Sequence, residues 1–411
     1  MKKCICTLLI ILMTISISGT LTGTATASEP EDLTTTIVLT LGSPTMTING
    51  VPRPIDGRGT TPIAKSGRAL VPLRPIFEAL SLTVGWDGRT GAITGTQGNT
   101  VISLTVGSRL ASINGRSTTL EVAPEIIGGR TMVPLRFIAE SLGADVRWRE
   151  STQTITITLT PLHVRLNGIY VIIGDRLENV QSILGEANRI DPSHWDFDWH
   201  VYNSDYSQFI MVGIKNGLVE AIYTNSRGFV TGNAQHGVTT RGSVNDIDGI
   251  TLHYDRHDRN TVHAVLIVSP SAARVSTASN ALYRAQELQN FDATNAFRVS
   301  RGLPALLWDD IAARTSREHS QDMADNNYFS HNSRDGSTPF QRFTRNGGRF
   351  NSAGENIAAG FIMGIDYHNE WLNSTTGHRD NLLGSFTHLG VGHGHNASSM
   401  YRTYMSQFFF R

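Results

Sequence analysis

The sequence predicts a multidomain protein of the α+β class, and three observations lead to this prediction. The chain has 411 residues, enough for roughly two to four domains of ordinary size. Hydrophobic residues make up 39% of it, which is sufficient for packed cores. An N-terminal segment recurs at a constant offset of 62 residues, as from Gly67 to Gly129, and the later parts of the chain differ from it in pattern. We therefore expect a tandem β-α-β-β repeat domain, a small α+β middle domain and a C-terminal domain that opens with helices.

The charge balance excludes some classes of partner. Lysine plus arginine number 35, and so do aspartate plus glutamate, so the formal net charge is zero when the histidines are neutral. Such a chain has no overall field that would attract nucleic acid or an anionic membrane surface. We expect neither of them as a partner.

Residues 1–27 have the features of an export signal peptide. Lys2 and Lys3 provide a positive start, residues 8–13 form an apolar core, and a small-x-small cleavage motif ends at Ala27. The apolar run is shorter than the roughly 20 residues that a membrane-spanning helix needs, and no other stretch reaches that length. The sequence predicts a secreted protein, extracellular or associated with the cell wall, with no transmembrane anchor in the mature chain.

Both cysteines, Cys4 and Cys6, lie inside the predicted signal peptide. They precede its apolar core, whereas a lipid-modified cysteine is expected after it, so a lipoprotein anchor is not predicted. The mature chain is expected to have no thiol, which excludes disulfides, thiol nucleophiles and cysteine metal sites. An exported chain without disulfides is typical of a bacterial surface protein.

Residues 36–159 contain the repeat. Residues 67–80 recur as residues 129–142, both with Val-Pro-Leu-Arg, and each copy continues to a Val-x-Trp triplet and a further strand. Each unit is predicted to form strand, short helix, strand, strand, with a proline where the helix begins and a missing N–H is tolerated. Asn-Gly pairs at 49–50 and 114–115 predict two-residue hairpin turns.

An arginine and a glutamate lie four residues apart on each predicted helix, Arg74 with Glu78 and Arg136 with Glu140. This spacing favours a structural ion pair on the helix surface. The alternative is that the two arginines contact a ligand.

The doubled pattern resembles the copper amine oxidase N-terminal (stalk) domain, an accessory module of exported bacterial proteins. The resemblance covers residues 36–159 and implies attachment or spacing. It does not imply a copper amine oxidase, because the sequence supplies neither a cluster of three histidines for copper nor the tyrosine context of a quinone cofactor.

Residues 163–268 form a second block, in which short strands alternate with turns, and a predicted helix ends at Gly185. Residues 194–200 and 255–258 are rich in His and Asp, so metal binding is an alternative there, although we favour a tryptophan-rich edge and an ordinary turn. Residues 269–280 are rich in serine and alanine and predict a linker.

Residues 281–411 form the last block, which opens with a helix of regularly spaced apolar residues, followed by a second helix capped by Asp309 or Asp310. We place His319 on a solvated face of the second helix, because its neighbours in sequence are charged or polar. Residues 389–395 alternate as a strand does, with its histidines on one face that we expect at an exposed edge.

Three polar residues of this block, His331, Glu355 and His378, stand among apolar or small neighbours. A buried polar group without a partner costs roughly 2–7 kcal/mol, so one hypothesis is that the three side chains share a polar cavity and satisfy one another. The alternative is that each residue caps or turns its own segment, and the residues alone leave both possibilities open.

The same block contains three motifs in a fixed order. They are Tyr-Phe-Ser-His at 328–331, Gly-Glu-Asn-Ile at 354–357 and Trp-Leu-Asn-Ser-Thr-Thr-Gly-His-Arg-Asp-Asn at 371–381. Together they resemble the CAP superfamily (cysteine-rich secretory proteins, antigen 5, pathogenesis-related proteins) in its short bacterial, SCP-like form. The resemblance covers residues 281–411 and implies an α-β-α sandwich with a central cleft lined by two histidines and acidic residues. It also implies that residues 163–268 form a CAP-associated domain.

The resemblance assigns His331, Glu355 and His378 to this cleft. The fourth position, a glutamate three residues after the tryptophan in animal members, is Ser374 here. Glu370 precedes the tryptophan and is four residues from Ser374, so on a helix both would share a face and reach the cleft.

The cleft residues allow more than one chemistry. Two neutral imidazoles, His331 and His378, with a carboxylate can bind a divalent cation such as zinc and leave one position open. Asn356 or Ser374 would then orient a ring N–H. The same set could perform general acid/base chemistry with Glu355 and His378 as catalytic candidates, but the sequence shows no activated Ser or Thr nucleophile and no His-Glu-x-x-His motif.

We expect a binding protein rather than an enzyme, with no required cofactor, whose partner is a small ligand, a lipid or a cell-wall component. The first alternative is a zinc-assisted hydrolase of peptide or peptidoglycan. The second is a structural protein of a surface layer or spore coat.

Overall fold

The computed structural model describes residues 33–232, 234–238, 249–275 and 278–411. The predicted signal peptide, residues 1–27, and the two cysteines within it lie outside the described residues. Within those ranges, no helix has the length and apolar character needed to cross a membrane. The fold is multidomain and mixes helices with many strands, as the sequence predicts.

The N-terminal domain consists of three antiparallel sheets with two short helices. Its sheets have the strand orders β13-β14-β1-β2-β3, β10-β9-β8-β7-β6 and β11-β12-β5-β4. The elements are β1 (Thr35–Thr40), β2 (Thr45–Ile48), β3 (Val51–Pro54), β4 (Ile63–Lys65), β5 (Arg68–Pro72), α1 (Leu73–Ala79), β6 (Thr83–Asp87), β7 (Ala92–Gln97), β8 (Thr100–Thr105), β9 (Leu110–Ile113), β10 (Arg116–Thr119), β11 (Glu125–Ile127), β12 (Arg130–Pro134), α2 (Leu135–Glu140), β13 (Asp145–Arg149) and β14 (Thr154–Leu159).

The two repeats are related by the pairing of β5 with β12. Val71 lies opposite Val133, its own counterpart in the second repeat, so the central sheet is built around a local two-fold relationship. The first strand, β1, then pairs with β14 in the same way that β8 pairs with β7. The repeat is therefore longer than the sequence pattern indicates, since each copy also includes the hairpin strands that precede its Val-Pro-Leu-Arg segment.

The predicted turns and helix starts of this domain are present. Asn49 and Asn114 have φ of 49° and 50°, and each is followed by a glycine of positive φ, so both hairpins close through left-handed Asn-Gly turns. Pro72 and Pro134 cap the two helices at their N-termini. The exposed pairs Arg74–Glu78 and Arg136–Glu140 are 3.7 and 3.6 Å apart, which agrees with the structural interpretation of the i,i+4 spacing.

In the described ranges, the middle domain has two antiparallel sheets, with orders β16-β15-β21-β22 and β17-β18-β19-β20-β24-β23, and one α-helix. The helix ends where Gly185 takes a φ of 78°. The elements are β15 (His163–Leu166), β16 (Ile169–Ile172), α3 (Leu177–Leu184), β17 (Arg189–Pro192), β18 (Asp198–Tyr202), β19 (Ile210–Lys215), β20 (Leu218–Thr224), β21 (Phe229–Thr231), β22 (Ala234–Gln235), β23 (Ile250–Asp255) and β24 (Thr261–Val268).

The C-terminal domain is the predicted α-β-α sandwich. Its central sheet has the order β25-β27-β28-β26, and adjacent residues of β28 bond to helices on opposite faces. Gln407 donates to Asn290 of α4, while Ser406 contacts Ser320 of α5. The elements are α4 (Asn280–Ser300), β25 (Leu307–Trp308), α5 (Asp310–Asp325), α6 (Pro339–Arg345), β26 (Ala353–Ala359), α7 (Gly364–Leu372), α8 (His378–Leu383), β27 (His388–His395) and β28 (Thr403–Phe410).

The middle and C-terminal domains share a core. Trp195, Phe197 and Trp199 of the middle domain pack in one buried cluster with Ala293 and Ala296 of α4. The described part of the predicted linker also lies against the middle domain. Asp196 donates its backbone N–H to the carbonyl oxygen of Ala273, and its Oδ1 atom accepts from the backbone N–H of Ala273. These contacts fix the middle domain against α4 and α7 of the C-terminal domain.

Candidate functional site

The structure brings three of the sequence-predicted residues together at one end of the sandwich, and we call His331, Glu355 and His378 the histidine site. Glu355 lies in β26 and is nearly buried, whereas His331 lies in the loop after α5 and half of its side chain is exposed. The ring nitrogen Nδ1 of His331 is 2.8 Å from the Oε1 atom of Glu355. Because a carboxylate accepts, Nδ1 of His331 is the donor in this hydrogen bond.

Arg342, which was not among the residues predicted from the sequence, completes the histidine site by contacting Glu355. Arg342 of α6 donates from Nη2 to the Oε2 atom of Glu355 at 2.6 Å, and from Nη1 to the carbonyl oxygens of His331 and Ser337. Both oxygens of the buried carboxylate therefore have a side-chain partner. The position of Arg342 on the buried face of α6, beside the buried Phe343, would have indicated its role, because a buried charge needs a partner.

His378 begins α8 and faces His331, with a distance of 6.4 Å between the ring centroids. Its Nδ1 atom is 3.0 Å from the Oγ atom of Ser374, so Ser374 is the residue that orients this ring. Partial burial and the neighbouring His331 lower the pKa of His378 below its ordinary value, which favours a neutral ring. Asn356 instead donates to the carbonyl oxygen of His378 and thereby holds the start of α8.

Glu370 is not part of this cluster. It is exposed and lines a separate hollow beside the middle domain, together with Arg256 and Asn260. The prediction that Glu370 and Ser374 share a helical face was wrong, because α7 ends at Leu372 and Ser374 lies beyond the helix.

Two further predictions about histidines were also wrong. His319 is 1% exposed, and its Nε2 atom is 2.9 Å from the carbonyl oxygen of Ser330, so it lies on the buried face of α5. Burial lowers its pKa. His393 is buried as well, because β27 lies inside the sheet between β25 and β28, and its ring stacks on that of Tyr283 with centroids 4.5 Å apart.

Few side chains in the histidine site are available to bind a metal ion. Within the described ranges, no three His, Cys, Asp or Glu side chains form a group that could hold a metal ion. In the histidine site, Glu355 is committed to His331 and Arg342, and the two imidazoles remain as donors. A catalytic zinc usually has three protein ligands, so these residues do not fit the three-ligand site that the sequence suggested.

The other acidic and histidine-rich segments have structural contacts. Asp255 is buried and accepts hydrogen bonds from Arg301 and Arg379 at 2.7 and 2.8 Å. Asp196 accepts from Lys215 at 2.7 Å. These partners explain the acidic residues without a metal ion.

Three family models match the chain in succession. The copper amine oxidase N-terminal domain matches residues 55–157, the CAP-associated N-terminal model matches residues 173–247, and the cysteine-rich secretory protein family matches residues 291–409. These matches confirm the families that the motifs of the sequence resemble.

Two proteins of Bacillus subtilis are similar to the chain. YlbC, an uncharacterized membrane protein, is 30% identical over 284 residues, a match that covers 56% of this chain and 82% of YlbC. YkwD, an uncharacterized protein, is 35% identical over 142 residues and is matched over 34% of this chain and 54% of its own length.

Two solved structures also resemble it. An extracellular SCP-domain protein of Bacillus anthracis is 28% identical with a TM-score of 0.49, covering 58% of this chain and 93% of that one. A cysteine-rich secretory protein of Staphylococcus aureus is 15% identical with a TM-score of 0.45, covering 58% and 91% of the two chains.

Proposed function

The chain belongs to the cysteine-rich secretory protein (CAP) family, and we propose that it is an extracellular, cell-envelope-associated protein whose histidine site binds a polar cell-wall component. The observation that carries this proposal is the position of His331, which is fixed by a buried carboxylate yet half exposed. A residue that served only the fold would gain more from burial. A ring held in one orientation at the surface is instead pre-organised for a ligand.

The polarity of the histidine site favours a polar ligand over a lipid. Its accessible groups are the two imidazole rings and the hydroxyl of Ser374, which donate or accept hydrogen bonds. Hydroxyl, amide and carboxylate groups of a peptidoglycan fragment complement such a surface, whereas an acyl chain would desolvate it without compensation. The expected ligand is therefore a fragment of the wall.

Co-sedimentation of the full chain with purified peptidoglycan tests this function. We expect His331→Ala and His378→Ala to reduce the bound fraction strongly, while His257→Ala, an exposed histidine of the middle domain, leaves it unchanged. Vesicles of phosphatidylglycerol provide the lipid comparison. Equal binding by all variants, or preferential binding to vesicles, would overturn the proposal.

Hydrolysis is a second candidate, supported by one specific contact. Glu355 accepts the Nδ1 proton of His331, and a carboxylate that orients an imidazole in this way leaves Nε2 available as a general base. If the protein hydrolyses the wall, new amino or reducing ends will appear on incubation with soluble muropeptides, and they will be absent with His331→Ala. Binding alone predicts no new ends. A purely structural role, by contrast, predicts that His378→Ala lowers the unfolding temperature without loss of any ligand.

A further inference from the structure

A hollow of about 400 Å³ lies between the middle and C-terminal domains, apart from the histidine site. One wall is the β23–β24 hairpin, which contributes His253 and Arg256, and the other wall is α7, which contributes Asp366, Asn369 and Glu370. The volume is within the usual range for small-molecule sites. We call it the interdomain hollow.

The walls of this hollow are held together by direct hydrogen bonds. Asn373, at the end of α7, accepts from the backbone N–H of Arg256 at 2.8 Å and donates to the carbonyl oxygen of Tyr254 at 2.9 Å. Asn369, one turn earlier, is 2.9 Å from the Nδ1 atom of His253. The hollow is therefore a preformed space between two fixed elements.

Two buried polar atoms of the lining residues have no hydrogen-bond partner in the described part of the chain. They are the Oδ1 atom of Asn369 and the Nε2 atom of His253. Because the amide nitrogen of Asn369 donates to Nδ1 of His253, the proton of the neutral ring is on Nε2, which is then a free donor. Burial lowers the pKa of His253 to about 4, so the ring is neutral at physiological pH. Unpaired buried donors and acceptors are costly and point to a missing partner.

Opposite charges stand on the two walls. Arg256 is exposed on the hairpin and Glu370 is exposed on α7, and neither forms an ion pair with another described residue. Asp366 adds a second carboxylate on the helix wall, where burial raises its pKa to about 6. A carboxylate in this environment gains from a cationic partner.

We propose that the interdomain hollow binds a small zwitterionic ligand of the amino acid or short peptide class. Its ammonium group meets Glu370 and Asp366, its carboxylate meets Arg256, and its amide or backbone groups satisfy Asn369 and His253. Charge-assisted hydrogen bonds at both ends fix the orientation of such a ligand and strengthen its binding. This site does not depend on the function proposed for the histidine site.

Isothermal titration calorimetry of the full chain with alanylalanine tests the proposal, with alanine, N-acetyl-alanylalanine and alanylalanine amide as comparison ligands. We expect the zwitterionic forms to bind, and loss of either terminal charge to weaken binding about tenfold or more. Glu370→Gln and Arg256→Gln are both exposed substitutions that should preserve the fold. Each should weaken dipeptide binding about tenfold, and Arg256→Gln should also abolish the preference for the dipeptide over its amide.

Matched controls remove the same charges elsewhere on the surface. Glu178→Gln and Arg53→Gln, together with His378→Ala in the histidine site, should leave the dipeptide affinity unchanged. Binding of alanine, of the dipeptide or of both supports the proposal when it weakens in Glu370→Gln and in Arg256→Gln. Absence of binding up to about 10 mM, equal affinity for the charged and blocked peptides, or insensitivity to Glu370→Gln would overturn it.

Discussion

Arg342 donates a hydrogen bond to Glu355 at 2.6 Å, and the two side chains are only 9% and 3% exposed. The pair gives the buried carboxylate of Glu355, which also contacts the exposed His331, an arginine partner. Removing one partner of a buried pair is costly because the other charge is left in a poorly solvated place.

We therefore expect Arg342→Met to destabilise the C-terminal domain by about 3–5 kcal/mol, as for other broken buried pairs. The control is Arg345→Met on the same helix. The side chain of Arg345 is 60% exposed, and its Nη1 atom is 3.5 Å from the Oδ2 atom of Asp335. Loss of that surface pair should cost less than about 1 kcal/mol. Urea unfolding followed by tryptophan fluorescence measures both values, and similar costs for the two variants would contradict the assigned role of Arg342.

A second prediction concerns the contact between the middle and C-terminal domains. Asp255 is 1% exposed and accepts from Arg301 and Arg379, whereas Asp258 is 33% exposed and accepts from Arg301 at 3.0 Å. Asp255→Asn should cost about 3–5 kcal/mol because it leaves the largely buried Arg379 without a carboxylate partner and Arg301 with Asp258 alone. Asp258→Asn should cost less than about 1 kcal/mol.

Hydrogen exchange gives a local measurement of the same effect. Asp255→Asn should increase amide exchange in β23 and in α8, the elements that contain Asp255 and its partner Arg379, while Asp258→Asn leaves exchange there near the wild-type rate. If both variants behave alike, the buried pairing does not hold the domains together.

A third prediction is a loss of stability in mild acid. His263 of β24 and His368 of α7 are buried with ring centroids 5.6 Å apart, and burial lowers the pKa of His368 to about 3. Its environment also contains Arg379, which disfavours protonation further. In the unfolded chain the ring titrates near its ordinary pKa of 6.5. The unfolded state therefore binds more protons between these values, and stability is full above about pH 6.5 and decreases as the pH falls towards the folded pKa.

For His368 alone, this linkage amounts to about 2 kcal/mol between pH 7.5 and pH 5. His368→Gln removes the titrating ring and retains a hydrogen-bonding group near Thr294. The wild type should therefore lose about 2 kcal/mol more than this variant over the same pH interval. Thermal unfolding at the two pH values measures the difference, with the exposed His257→Gln as the control. Equal losses in wild type and His368→Gln would show that His368 does not titrate as described.

Local patterns in the sequence predicted much of the fold because they act over few residues. The Asn-Gly turns, the proline-initiated helices and the cap at Asp309 all depend on backbone chemistry that neighbouring residues determine. The prediction that His331, Glu355 and His378 lie together came from the motif resemblance, because the separations of the three residues along the chain do not specify it.

The error about His319 arose because small residues form the buried face of its helix, α5. α5 packs Ala312, Ser316 and Ser320 against glycines of β27, where a Cβ atom on Gly392 would lie 1.9 Å from the backbone of α5. The buried face of α5 is therefore made of small residues, and His319, whose neighbours in sequence are charged or polar, was assigned to solvent although it is buried against the carbonyl oxygen of Ser330. Arg342 was missed for a different reason, since its partner Glu355 lies in the next element, β26, and no local spacing rule links the two residues.

The two repeats of the N-terminal domain fill the same space in opposite ways. In the first repeat, Phe77 packs over Gly95, and a Cβ atom added to Gly95 would lie 2.4 Å from the Phe77 ring. At the corresponding positions of the second repeat, 62 residues later, the chain has Ala139 and Ile157, both buried in the same core. The first repeat thus pairs a large helix residue with a small strand residue. The second repeat pairs a small helix residue with a large strand residue, so the packed volume is conserved.

This relationship predicts strong coupling between the two positions of the first repeat. Phe77→Ala alone should cost about 3–5 kcal/mol through the cavity that it leaves, and Gly95→Ile alone should destabilise by about 1–3 kcal/mol through overpacking. The double variant Phe77→Ala/Gly95→Ile reproduces the arrangement of the second repeat, so its cost should be smaller than the sum by about 1–3 kcal/mol. A double-mutant cycle from urea unfolding measures this coupling. Additive costs would mean that the two side chains do not share one space in the core.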